Sequence, residues 1–191
     1  MRRTLAVAAL LMARLLTAPA APAAAGTIRF VEGGAAAGAR VVHHTRAFPG
    51  KYADVLGMFT AGGAAVAVGD YDGDGWDDLF VTDSAAGGRS HLLHNNGPDK
   101  SGHVTFTDVA EAAGVAGGND PQAIVSDAIW FDADNDGRED LLVARFGTPI
   151  LYRNLGGGRF KDVSAVSGLT KFGNTIAVIA FDYDNDGRLD L

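Results

Sequence analysis

The feature that most constrains this chain is an acidic motif that occurs three times. The pattern D-x-D-x-D-G-x-x-D-L starts at Asp70, Asp132 and Asp182, so carboxylates crowd into each short stretch. The segments that follow the first two copies also match: HLLHNNG (91–97) with ILYRNLG (150–156), and FTDVAEAAGV (106–115) with FKDVSAVSGL (160–169). Because order and spacing are kept together, the chain consists of a repeat of roughly 50 to 62 residues, present about two and a half times.

The motif predicts one calcium site in each loop. Calcium takes six to eight oxygen ligands in flexible geometry, whereas magnesium loses its water reluctantly and fits less well. Positions 1, 3, 5 and 9 supply carboxylates, the Gly at position 6 permits a sharp turn, and position 7 supplies its backbone carbonyl. The predicted ligands are Asp70, Asp72, Asp74, Trp76 and Asp78; Asp132, Asp134, Asp136, Arg138 and Asp140; and Asp182, Asp184, Asp186, Arg188 and Asp190, with Trp76, Arg138 and Arg188 acting through their carbonyls.

The first half of the motif also resembles an EF-hand loop, which needs a bidentate Glu at position 12 and flanking helices. Position 12 is Val81 in the first loop and Val143 in the second, and the flanks AAVAVGD and DLLVARF are typical of strands. The EF-hand is therefore rejected, and acidic turns without a metal are the remaining alternative. Position 8, occupied by Asp77 and Glu139, is expected to point outward.

The charge of the chain depends mostly on these loops. The net charge is −7, and twelve of the 23 acidic residues are predicted side-chain ligands. The remaining eleven acidic residues are outnumbered by 16 basic residues, so the rest of the chain is not acidic. The sequence has no basic stripe with interleaved aromatic residues, and nucleic acid is therefore not an expected partner. The chain has no Cys, which excludes disulfides, thiolate metal sites and thiol nucleophiles.

Residues 1–25 have the pattern of a secretory signal peptide. Arg2 and Arg3 precede an apolar run and then small residues, with cleavage expected after Ala25 or earlier after Ala20. A membrane anchor is the alternative, although the run is short and Arg14 interrupts it. No other segment is long and apolar enough to span a bilayer. The mature protein is expected to be secreted, periplasmic or at the cell surface.

Each repeat predicts four short strands. In the second repeat they cover about Ala128–Asp132, Asp140–Phe146, Ile150–Asn154 and Phe160–Val163. Four strands in a repeat of this length indicate a blade of an all-β propeller. The predicted organisation is an N-terminal segment (26–61), a first blade (62–119), a second blade (120–170) and a truncated third blade (171–191).

The loops and the segments after them resemble FG-GAP or VCBS-type repeats over about Gly62–Leu191. The combination of YDGDGWDDLFV, HLLHNNG and FTDVAEAAGV is more closely similar to bacterial exported proteins related to cartilage acidic protein, which carry an ASPIC/UnbV C-terminal domain. The resemblance implies a calcium-bearing propeller of six to eight blades. It therefore implies that this chain is an N-terminal fragment, or that several chains assemble one ring. In the full ring, Ile28–Glu32 is expected to supply the closing strand.

Other candidate site residues are better explained by structure than by chemistry. His43 and His44 are adjacent, so on a strand they would point to opposite faces, and the same holds for His91 and His94. The second repeat has Ile150 and Arg153 in place of His91 and His94. Ser84, Ser90 and Ser126 lack a nucleophile elbow. Gly156–Gly158 precedes a strand and indicates a hairpin turn. Trp76 and Trp130 are candidate sugar-stacking platforms, but packing between blades is the simpler expectation.

These features favour an exported, calcium-binding propeller module with a structural, adhesion or ligand-interaction role, and no catalytic residue is assigned. The expected partner is a protein or a glycan, together with the remaining blades of the full-length chain. No membrane span is expected after signal cleavage. The alternative is a carbohydrate-active, polysaccharide lyase-like propeller whose catalytic residues lie mostly outside this fragment.

Overall fold

The computed structural model describes residues 29–55, 63–117 and 123–191. The chain divides into two units, Met1–Val31 and Glu32–Leu191, and every element named below belongs to the second. The predicted signal peptide lies outside the described residues. Ile28 of the predicted closing strand also lies outside them, and residues 29–32 form no strand here. Among the described residues, no helix has the length and apolar character needed to cross a membrane.

The first repeat forms a four-stranded antiparallel sheet in which each strand pairs with the next along the chain. The first acidic loop joins the first two strands. Alternation buries one face, so Phe80 and Leu92 on neighbouring strands are fully buried. The strands are β1 (Val66–Gly69), β2 (Asp78–Val81), β3 (His91–Pro98) and β4 (Val104–Asp108).

The second repeat forms a sheet of the same order, which confirms the all-β, blade-like architecture. The two middle strands match the predicted ones to within a residue, whereas the first strand begins four residues earlier than predicted because it pairs along nearly all of the second. The strands are β5 (Ile124–Phe131), β6 (Asp140–Gly147), β7 (Ile150–Asn154) and β8 (Phe160–Asp162), and β9 (Gly173–Asn174) pairs with the end of β6.

A short helical turn follows the fourth strand of each sheet, which the four-strand pattern did not predict. Helix α1 (Ala110–Ala113) follows β4, and a 3₁₀ helix (Ser164–Val166) follows β8. In both places the last aspartate of the strand accepts a hydrogen bond from the N–H two residues later: Asp108 from Ala110 (3.2 Å) and Asp162 from Ser164 (2.9 Å). These Asx turns divert the chain from the extended conformation.

The third repeat shows only the beginning of its hairpin. Phe181 and Asp190 form an isolated antiparallel bridge through two backbone hydrogen bonds of 3.1 and 2.9 Å. Residues 175–180, which correspond to the first strand of a blade, form no strand.

The core lies between the two sheets, where β1 lies against β5. Four aromatic residues form its centre, and we call them the interblade aromatic cluster: Tyr71, Phe80, Trp130 and Phe160. The Tyr71 and Trp130 rings are stacked with centroids 6.1 Å apart, and Phe160 lies 5.8 and 5.9 Å from them. Gly69 allows this approach, because a Cβ there would lie 2.8 Å from the Trp130 ring. Trp130 therefore packs between the blades, as expected.

A buried asparagine side chain also connects the two sheets. Asn154 Nδ2 donates to the Tyr71 carbonyl in the first loop (2.7 Å) and to the Glu139 carbonyl in its own loop (2.9 Å). Its counterpart Asn95 donates to the Asp77 carbonyl of its own loop (3.0 Å). The two asparagines are therefore matched, except that Asn154 makes an additional bond across the interface.

Asn154→Ala is expected to reduce the free energy of unfolding by about 1–2 kcal/mol more than Asn95→Ala, because a buried carbonyl across the interface loses its donor. Urea denaturation of both variants beside the parent chain measures this difference. Equal losses in the two variants would show that the bond between the sheets contributes little.

Candidate metal sites

The three acidic loops share one register with their strands. Each loop is closed by a pair of facing residues: Gly69 with Asp78, Phe131 with Asp140, and Phe181 with Asp190. The backbone is left-handed at positions 4 and 6 of every loop. Position 6 is always Gly, as the sequence predicted, and position 4 is Gly73, Asn135 or Asn185, with φ of 77°, 57° and 60°. The restriction of position 4 to Gly and Asn, which tolerate this conformation, was a signal that the sequence analysis missed.

The aspartate at position 1 holds the loop together. Asp70 Oδ1 accepts from the N–H groups of Gly73 (2.9 Å) and Asp74 (3.0 Å), and its Oδ2 accepts from Gly75 (2.9 Å). Asp132 and Asp182 bond the N–H groups at positions 5 and 6 in the same way. The loop backbone therefore folds around this carboxylate.

The geometry brings predicted ligands together in each loop. Each set offers carboxylate oxygens that all lie within 4.8 Å of one another. Oxygens bound to one calcium at 2.3–2.6 Å can be no more than about 5 Å apart, so these sets fit such an ion. The sets are Asp70, Asp72 and Asp74; Asp132, Asp134 and Asp136; and Asp182, Asp184 and Asp190.

The aspartate at position 9 is the buried member of the first two loops. Asp78 and Asp140 are 0% and 1% exposed, and each accepts a 2.7 Å hydrogen bond from the backbone N–H of an asparagine, Asn95 or Asn154. The second oxygen of Asp140 accepts from the Ala133 N–H (3.1 Å). The second oxygen of Asp78 is buried and makes no hydrogen bond. A buried carboxylate oxygen without a donor is the environment that a cation relieves.

Burial affects the protonation of Asp78. Burial raises the pKa of its carboxyl to about 6, against the lowering effect of the Asn95 N–H and with a smaller raising contribution from the charge of Asp72. Burial likewise raises the pKa of Asp140. Both carboxyls therefore carry a free-energy cost when they are charged without a cation.

An asparagine in the third strand of each sheet, Asn95 or Asn154, is a functional position that the sequence did not lead us to expect. In both sheets its N–H binds the buried aspartate, its Nδ2 binds the carbonyl at loop position 8, and its Oδ1 accepts from the Gly two residues later. The shared N-x-G of HLLHNNG and ILYRNLG carried this signal. The asparagine fastens the loop to the third strand.

Comparisons with protein families agree with this geometry. The FG-GAP repeat family matches residues 62–102, and the FG-GAP-like repeat family matches residues 132–191. Both matched segments are therefore similar to FG-GAP-type repeats. No curated protein matches the chain. The resemblance to FG-GAP repeats is confirmed, and the closer relation to proteins with an ASPIC/UnbV domain stays a prediction.

The FG-GAP loops differ in the cationic side chains beside their carboxylates. In the second loop Arg138 pairs with Asp136, and Arg153 Nη2 lies 2.5 Å from Asp134 Oδ2. In the third, Arg188 lies 2.5 Å from Asp186. The ligand role predicted for the backbone carbonyls of Arg138 and Arg188 stays a prediction, and their side chains have the separate role of pairing with carboxylates. The first loop has neither arginine, and its Trp76 side chain is 44% exposed.

The outward orientation predicted for position 8 is right for Asp77 and wrong for Glu139. Asp77 is exposed. Glu139 is half-buried near the first FG-GAP loop, where burial and then the charges of Asp70 and Asp77 raise its pKa. The absence of a side chain at Gly69 gives Glu139 this space, since a Cβ there would lie 2.5 Å from Glu139 Oε2.

Three of the other candidates, His43, His44 and Ser84, connect the N-terminal segment to the first blade. His43 Nδ1 lies 3.1 Å from the Thr82 carbonyl, and its Nε2 lies 3.3 Å from Ser84 Oγ. His44 Nδ1 lies 2.7 Å from Asp83 Oδ2. Ser84 is fully buried, so it cannot act as a nucleophile toward a substrate in solution.

Asp78→Asn is expected to stabilise the metal-free chain at pH 7. The folded-state pKa of Asp78 lies above its unfolded value, so the native state binds the extra proton and loses stability as pH rises from about 4 through about 6. The amide still accepts from Asn95 and carries no charge. In EDTA the free energy of unfolding should rise by roughly 1–3 kcal/mol, measured by urea denaturation.

With millimolar calcium the order should reverse, because Asp78→Asn removes a ligand. Asp77→Asn, one residue away and exposed, is the matched control and should change little in either buffer. A variant that is less stable than the parent in EDTA as well would contradict the free-energy cost assigned to the buried, charged carboxylate of Asp78.

Proposed function

We propose that this chain is an exported, calcium-binding FG-GAP module that presents a propeller-type surface to a protein or glycan partner. The observation that carries the proposal is the convergence of carboxylate oxygens within 4.8 Å in three loops of one conformation, with the unpartnered oxygen of Asp78 beside the first. Carboxylates at this density repel one another, and a hard cation with oxygen ligands offsets that repulsion.

Calcium would be held by the side chains at positions 1, 3, 5 and 9 of each loop, with the position 7 carbonyl as a further ligand. Its contribution would be to neutralise charge and fix the connection between the first two strands. Because a cation binds the folded loop better than the open chain, it stabilises the fold by mass action.

The first loop would transmit this effect to the interface between the sheets. Tyr71 lies between two predicted ligands, its ring belongs to the interblade aromatic cluster, and its carbonyl accepts from Asn154. Fixing Asp70 and Asp72 therefore fixes a residue of the core. A partner surface that spans both blades would then depend on calcium.

Export is consistent with weak calcium sites. The charged N-terminus and apolar run have the pattern of a signal peptide. Extracellular modules bind calcium with a Kd of about 0.1 to 1 mM, which matches the calcium available outside cells. Calcium-dependent capture of immobilised matrix proteins or polysaccharides, abolished by EDTA, would identify the partner class.

The direct test is calcium stoichiometry with thermal unfolding of the chain before and after EDTA. About three calcium ions per chain and a higher Tm with calcium are expected, because each of the three loops offers one site. A folded β-rich circular dichroism spectrum with no calcium binding would leave the loops as acidic turns and would overturn the proposal.

Asp134→Ala should remove most of the calcium-dependent rise in Tm that belongs to the second blade. The change deletes one ligand of the second loop and leaves Asp132 and Asp136 uncompensated. Asp77→Ala, which removes an exposed aspartate, should keep the full rise. Parallel melts across a calcium series measure both variants, and equal behaviour would refute the division into ligand and outward positions.

A further inference from the structure

The first FG-GAP loop differs from the second at one position of the third strand. The residue before Asn95 in the first sheet is His94, and the residue before Asn154 in the second sheet is Arg153. Both side chains reach the carboxylate at loop position 3. His94 Nδ1 lies 3.4 Å from Asp72 Oδ2, and Arg153 Nη2 lies 2.5 Å from Asp134 Oδ2.

The two side chains have different chemistry toward a metal. A guanidinium is always charged and can only donate hydrogen bonds, so Arg153 neutralises its loop but cannot be a ligand. An imidazole nitrogen can be a ligand, and it suits zinc and its neighbours, whereas calcium takes oxygen. Because the first loop has His94 where the second has Arg153, a nitrogen ligand is available only at the first of these two loops.

The position of His94 fits a ligand. Its Nδ1 is buried and makes no hydrogen bond, although it lies 3.3 Å from Asp78 Oδ1 as well as near Asp72. The Tyr71 and His94 rings are in edge-to-face contact, with their centroids 6.1 Å apart. Nδ1 and one oxygen each from Asp72 and Asp78 all lie within 4.8 Å of one another. Asp78 is fully buried, and its Oδ1, which accepts from the Asn95 N–H (2.7 Å), is the oxygen nearest His94 Nδ1. The buried Nδ1 of His94, which makes no hydrogen bond although two carboxylates lie within 3.4 Å, is the sign of a ligand that accompanies the carboxylates.

We propose that the first loop binds a divalent transition-metal ion, of which Zn²⁺ is the representative, through Asp72, Asp78 and His94, while the other two loops keep calcium. The inference rests on the proposed metal-binding function of the loops and specifies the ion class of one of them. When calcium is the only divalent ion present, all three loops bind calcium. When zinc is added, the first loop exchanges its calcium for zinc, because only this loop has a nitrogen ligand.

The test is equilibrium dialysis of the full chain against micromolar Zn²⁺ in the presence of millimolar Ca²⁺. One Zn²⁺ per chain is expected, and X-ray absorption should show an imidazole nitrogen in its coordination shell. His94→Ala should weaken zinc binding roughly tenfold or more, since even outer-shell partners of a ligand contribute that much. Calcium binding at the other two loops should be unchanged.

His91→Ala is the matched control, because His91 lies on the same strand and pairs with Asp108 (2.7 Å) away from the loop. It should retain zinc. Arg153→His is the complementary variant: it places an imidazole at the corresponding position of the second loop and should raise the zinc stoichiometry to two. Circular dichroism of each variant checks folding, and if His94→Ala does not fold, Arg153→His still decides.

The possible results separate the two proposals. Calcium binding at three loops with zinc unable to displace any of it would overturn the zinc inference and leave the calcium function intact. Equal zinc binding by the parent and by His94→Ala would also overturn it, since the ion would then reside on other histidines. Absence of binding by both ions would overturn the calcium function and the zinc inference together.

Discussion

The structure depends on a buried carboxylate that a backbone N–H holds in place. Asp78 and Asp140 end the acidic loops and begin the second strands, and the N–H groups of Asn95 and Asn154 fix them at 2.7 Å. Each contact ties the loop to the third strand of its sheet. It also brings a negative charge into the protein interior, where charge is costly unless it is compensated. The conformation of the loop, its attachment to the sheet and the cost of its buried charge therefore have one origin.

The same contact links the acidic loops to the packing of the blades. Asn154 holds Asp140 through its backbone and the Tyr71 carbonyl through its side chain, across a sequence separation of 83 residues. The Tyr71 ring then stacks on Trp130. A short acidic loop thus supplies both candidate ligands and part of the interface between the sheets. A change in the conformation of the loop would therefore also change the packing at this interface.

Local features of this fold could be predicted from sequence, because the repeat records them more than once. The acidic motif predicted three loops of one conformation, which the structure has, and β6 and β7 match their predicted ranges closely. The helical turn α1 was missed because Asp108 redirects the chain by a side-chain contact with no signature in hydrophobic periodicity. Glu139 was misplaced because its surroundings come from the neighbouring blade.

His94 shows why the chemistry of a loop extends beyond its motif. The motif residues of the first two loops are nearly identical, and their backbones turn at the same positions. What differs is a side chain on another strand, which reaches the position 3 carboxylate in each sheet. The alternation of side chains along a strand assigns His94 to one face of the sheet but does not say which loop it reaches. Only the pairing of β3 with β2 brings it there. One residue outside the motif therefore makes two similar loops chemically different.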